Sequence, residues 1–146
     1  MKTLFLILLS TQILVAQKYF QVYQNFLNTT GSPYEKINYS LEYGKQWDVY
    51  SIGINVGKIN NFAFTEVKSN LNVFQQGKFT NTLTFGLGYI VNSTTNLLTE
   101  MSSGIEYSYS NKIHFNVQFG QYYFSGNSNS NNTTFFGIST IYFLKK

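Results

Sequence analysis

Acid–base or nucleophilic chemistry in this chain would have to run through a single imidazole. His114 is the only histidine, cysteine is absent, and the six acidic residues are dispersed. Acyl transfer needs a nucleophile, a base and an orienting acid within hydrogen-bond reach, so His114 would have to be that base. One histidine and scattered carboxylates give no metal-ligand spacing, and a chain without cysteine excludes thiol chemistry and zinc clusters. The glycines of "GLG" at 86–88 lie in the middle of a strand-like run with no helix start after them, so they do not form a phosphate loop. The basic residues are all lysines, spread too thinly to form a nucleic-acid surface. No cofactor and no enzymatic activity are expected.

The ionisable groups share one property, which is the face they occupy. Around His114 the chain reads "IHFNVQFG", with Ile113, Phe115, Val117 and Phe119 alternating with His114, Asn116, Gln118 and Gly120. Period-two alternation marks a strand with two unlike faces. Glu42, Glu66, Lys68, Glu100 and Glu106 fall on the polar face of their own runs, as His114 does. They form a candidate polar cluster, expected to be structural rather than catalytic.

Eight such segments can be laid out, at about 18–27, 34–44, 47–58, 61–74, 78–91, 96–109, 112–125 and 132–144. The first and the fourth, whose alternation slips near Thr65, alternate least cleanly, which leaves a bulge or a different strand count open there. Tight turns follow segments two, four and six ("GKQW", "QQG", "YSN"). Mostly longer polar connections follow the others ("NTTGSP", "INN", "NSTTN", "GNSNSNN"), and no domain boundary or linker is visible.

Which face points inward decides the protein class. In a soluble sandwich or a secreted lipocalin-like barrel the polar face would meet water and carry many charges. Here it is mostly Gly, Ser, Thr, Asn and Gln, and charged residues make up only 11% of the chain against a usual figure near 25%. Gly53, Gly57, Gly86, Gly88, Gly104, Gly120 and Gly137 all lie on it. Glycine weakens a solvated strand, but it suits the crowded interior of a barrel of about eight strands. The apolar face is nearly free of charge along the strand middles, which lipid contact demands, since a Lys or Arg at the bilayer midplane costs about 2–4 kcal/mol. Segments of about 11 residues match the 9–11 that a tilted strand needs to cross a bilayer. Tyr19, Tyr43, Tyr89, Tyr109, Tyr123 and Tyr142 stand near segment ends, as an interfacial aromatic girdle would require. The reading is an all-β, up-and-down antiparallel transmembrane β-barrel.

The first residues, "MKTLFLILLSTQILVAQ", combine one lysine, a short apolar run and a small Ala16 before a presumed cut. Residues 1–16 are expected to be a cleaved signal peptide, with residues 17–146 as the barrel. At this point the chain resembles the small eight-stranded outer-membrane barrels of the OmpA/OmpX type. That resemblance implies a monomer in a Gram-negative outer membrane, in contact with its lipid, with turns in the periplasm and loops outside. It also implies delivery by the barrel-assembly machinery, which reads a last strand such as "FFGISTIYFLKK" with Phe136, Ile138, Tyr142, Phe143 and Leu144. This strand departs from the pattern by finishing in Lys145-Lys146. Some barrels of this size deacylate lipid A, but their His-x-Ser spacing is absent, because Phe115 and Asn116 follow His114. The expected role is structural or surface-interacting, with a lumen filled by side chains; a lipid-modifying enzyme and a narrow pore are the alternatives.

Parity adds two local expectations. "QQG" should be a three-residue hairpin loop closing Phe74 against Lys78, with Gly77 left-handed. A three-residue loop at Tyr109-Ser110-Asn111 should pair Ser108 with Lys112, Glu106 with His114 and Gly104 with Asn116, bringing the carboxylate to the imidazole.

Overall fold

Alternating β-branched and aromatic residues favour extended chain, and the eight runs become eight strands closed into one barrel. A computed structural model describes residues 16–28, 37–59, 62–91, 95–125 and 131–144. The strands are β1 (Gln17–Asn28), β2 (Ile37–Gln46), β3 (Tyr50–Ile59), β4 (Phe62–Gln76), β5 (Phe79–Val91), β6 (Thr95–Ser108), β7 (Ile113–Ser125) and β8 (Asn131–Phe143). Each pairs antiparallel with its sequence neighbours, and β1 pairs with β8 to close the sheet. Closure leaves no free edge, which a spanning sheet requires because lipid offers no hydrogen bonds. Residues 1–15 of the expected 1–16 export signal, the connections 29–36, 60–61, 92–94 and 126–130, and Lys145–Lys146 lie outside the described residues.

The apolar face points outward. Ile54, Leu87 and Phe119 are 60%, 58% and 62% exposed, while Glu42, Lys68 and Glu100 are fully buried. A water-soluble barrel would have the opposite arrangement, so the lipocalin-like alternative is set aside. The weak alternation of β4 has a simple cause. Thr65 and Ser69 occupy outward positions, and no register shift occurs near Thr65; the irregularity of the β4–β5 ladder falls instead between Asn72 and Phe74.

That bulge also corrects the expected hairpin. Gln76 pairs with Phe79, so the loop is the two residues Gly77-Lys78, and Phe74 faces Asn81 rather than Lys78. Gly77 does adopt the left-handed conformation, at φ 60°, as primed two-residue turns need. Val73 and Phe79 both still face outward, because the extra residue at the bulge supplies the odd count that the loop was expected to supply.

The first turn lies three residues further on than "GKQW" suggested. β2 runs to Gln46 and the turn is 47–49, closed by a 2.8 Å bond from the Trp47 amide to the Tyr50 carbonyl. Gly44 is a lumen residue rather than a turn residue. A Cβ there would meet the Ile52 carbonyl oxygen at 2.5 Å and the Tyr19 hydroxyl at 2.6 Å. The inward glycines therefore make room for lumenal side chains and neighbouring strands. Gly88 is the most constrained, since its Cβ would press on the Thr65 carbonyl oxygen and the Glu66 Cα, both backbone atoms. Gly88→Ala should cost about 1–3 kcal/mol in urea unfolding from micelles, and an unchanged midpoint would mean that these strands are less tightly apposed.

Candidate functional site in the barrel lumen

Each polar side chain of the lumen is placed by strand parity, and the register decides which of them meet. Lys68 on β4 lies at the centre. Its ammonium stands 2.9 Å from Glu100 Oε2 on β6, donates a 3.1 Å hydrogen bond to Glu100 Oε1, and is 4.0 Å from Glu66 Oε1 on its own strand. The same ammonium sits 4.0 Å from the centroid of the Tyr23 ring, within range for a cation–π contact. Tyr23 donates to Glu42 Oε2 at 2.5 Å and Tyr19 donates to Glu42 Oε1. Asn55 donates to Glu66 Oε1 at 2.7 Å, and Ser102 donates to Glu100 Oε1 at 3.2 Å. Three strands, β2, β4 and β6, thus hold three carboxyl groups and one ammonium in the buried interior, where the cost of burying them is offset by one another and by the hydroxyl and amide donors around them.

Glu106 and His114 form a separate pair nearer the turns, with Nδ1 2.5 Å from Glu106 Oε1. They meet by a different register from the one expected. Glu106 pairs with Asn116, Ser108 with His114 and Gly104 with Gln118, so carboxylate and imidazole are diagonal neighbours rather than directly opposed. The loop between the paired Ser108 and His114 spans five residues, 109–113, because Ser110 caps it. Its hydroxyl accepts from the Lys112 and Ile113 amides, and its own amide donates to the Ile113 carbonyl. A shift of two preserves every facing, and the long Glu106 side chain spans the diagonal. The His114 ring packs edge-on against Phe143, at 4.7 Å between centroids. Around this pair a polar mouth of about 470 Å³ opens between the turns, reached by Trp47, Asn72, Ser108 and Asn111.

Toward the opposite end the described inward side chains turn apolar. Leu27, Ile59, Phe64, Ile90, Leu98, Tyr122 and Phe135 all point inward and form one buried apolar cluster, with Tyr122 stacked on Phe135 at 4.5 Å. Beneath it, Asn25 donates to the Tyr122 hydroxyl at 2.9 Å and accepts from Gln118. Among the described residues the lumen is thus filled in three layers: a polar mouth, a charged middle and an apolar cap.

The six ionisable residues singled out in the sequence all line this lumen, but as two groups: Glu42, Glu66, Lys68 and Glu100 together, Glu106 and His114 apart. Sequence reasoning missed their partners Tyr19, Tyr23 and Asn55, and it assigned Tyr19 to the girdle. Tyr19 is buried, whereas Tyr43, Tyr89, Tyr109, Tyr123 and Tyr142 are exposed on the outer face. The signal was present, since Gln21 and Asn25 fix the inward phase of β1 and the two tyrosines share it. The apolar cap was equally readable, because each of its members has the parity of a lumenal neighbour such as Glu66, Gly88 or Glu100.

The fold is that of the small transmembrane outer-membrane barrels. The N-terminal β-barrel domain of Pseudomonas aeruginosa OprF superposes with a TM-score of 0.65 at 11% identity, over 88% of this chain and 99% of that one. A de novo designed transmembrane β-barrel gives 0.65 at 14% identity, over 88% and 95%. Neisserial surface protein A gives 0.58 at 6% identity, over 88% and 97%. At such identities the likeness lies in the architecture. No protein-family model and no curated protein matches the chain.

Proposed function

We propose that this protein resides in an outer membrane as a non-conducting, non-enzymatic barrel with a structural or surface-contact role. The observation that carries this reading is the filled lumen, in which the Leu27–Phe135 cluster packs beyond the Lys68 network. Open channels need about 16 strands, and eight leave room only for side chains. The apolar outer band and the likeness to OprF, Neisserial surface protein A and a designed transmembrane barrel support the membrane location. The name of the second of these also fits a role at the cell surface. The Glu106–His114 pair, turned away from lipid and braced by Phe143, stiffens the mouth in this reading. The partners are then outer-membrane lipid and the assembly machinery, and the barrel works as a monomer.

Two measurements test the proposal together. The protein should fractionate with outer membranes, resist carbonate extraction and show heat-modifiable gel mobility. In planar bilayers it should give no discrete conductance steps. Recovery as a soluble periplasmic monomer would end the membrane reading, and reproducible single-channel steps would end the non-conducting one. Comparison of lipid A by mass spectrometry with and without the protein tests for a lipid-modifying activity, and none is expected.

A further inference from the structure

We infer that the turn end of the barrel carries a phospholipid headgroup site on its outer face, built on Lys18 and Lys45. This inference rests on the membrane reading above. The two lysines are directly paired across β1 and β2, both exposed and both on the lipid-facing side. Like charges placed directly opposite in a ladder are destabilising. Among the described residues neither has a carboxylate partner, the ion pairs being confined to Lys68 and His114. An anion between the two ammonium groups would turn that repulsion into a stabilising contact.

The level of the pair in the barrel identifies the anion. Immediately inward along the same two strands, Phe20 and Tyr43 pack ring against ring at 4.9 Å on the outer face, and beyond them Val22 and Leu41 begin the apolar band. Aromatic rings of this kind occupy the headgroup boundary. The lysines stand one step further out, where phosphodiester groups lie. Among the described residues the rest of the rim is mostly basic. Lys78 and Lys112 are exposed in the other turns of this end, and Lys78 lies over the Tyr107 ring at 6.0 Å. Asp48 is the one exposed acid at this end among the described residues, and Glu106 is occupied by His114. At the other end, Lys58 is the only exposed lysine described. The ligand class is thus the phosphate of an anionic glycerophospholipid in the leaflet at the turn end, held between Lys18 and Lys45.

The test compares urea unfolding of wild type and Lys18→Gln/Lys45→Gln in vesicles of phosphatidylcholine and in vesicles containing phosphatidylglycerol. A lysine near an anionic surface contributes about fivefold in a binding constant, so phosphatidylglycerol should raise the wild-type folding constant by roughly tenfold to thirtyfold. The double variant should lose most of that gain, and Lys18→Arg/Lys45→Arg should keep it. Equal dependence on phosphatidylglycerol in wild type and the glutamine variant would overturn the site. So would inorganic phosphate reproducing the whole effect in phosphatidylcholine vesicles, since the ligand would then be a free anion. Failure to insert into either vesicle would instead overturn the membrane reading, a result distinct from insertion without headgroup preference.

Discussion

Leu87→Arg should abolish folding into lipid, while Thr84→Ser three positions away on the same strand should be tolerated. Leu87 lies in the middle of β5, 58% exposed on the outer face, where a guanidinium faces hydrocarbon at a cost of about 2–4 kcal/mol. That is a large part of the 5–15 kcal/mol that typically separates folded from unfolded chains. Thr84 points into the lumen, 2% exposed, with its hydroxyl donating to Asn70 Oδ1 at 2.5 Å. Serine keeps that bond and gives up one methyl, about 0.8 kcal/mol. Thr84→Asn changes the same lumen wall, but in the packed interior it is an insertion, and about 1–3 kcal/mol of strain is expected. Refolding yield in phospholipid vesicles, read by heat-modifiable gel mobility, ranks the three. Equal yields for Leu87→Arg and Thr84→Ser would mean that the faces are reversed.

Lys68→Met should be among the most damaging single changes inside the barrel, at about 3–5 kcal/mol, because it strands buried carboxylates without their cation. Methionine fills similar volume, so the loss is electrostatic rather than a cavity. The diagnostic variant is Lys68→Met/Glu100→Gln, which removes the ammonium together with the carboxylate 2.9 Å from it. That pair should recover a large share of the single-variant loss, with a coupling of about 0.5–3 kcal/mol, as for residues in direct contact. Urea unfolding in vesicles measures all three variants. Strict additivity would show that Lys68 and Glu100 do not act as a pair.

The division between what was legible and what was not follows the physics of a strand. Which face each residue occupies is a local property with a period of two, so the sequence alone determined that Leu87 meets lipid and that Glu42, Lys68 and His114 line the interior. Parity survived even where the register was misread: Glu106 and His114 share the lumen whether their pairing sum is that expected from a three-residue turn or larger by two. The size of that shift depended on the Ser110 side chain capping its own turn, a contact that alternation does not encode. The extra residue of the β4–β5 hairpin could sit in the loop or in the ladder and still leave Val73 and Phe79 outward, and only the assembled barrel placed it at Val73, which turns Phe74 outward beside Asn81. Closure is likewise non-local. The β1–β8 pairing is set by eight strands sharing one circumference, and the meeting of Lys68 with Glu100, 32 residues apart, needs two successive ladders that both place their residue beside Gly86. The chain alone fixes the facing of each residue, because successive side chains must alternate; the barrel fixes the partners, because register and closure are decided together.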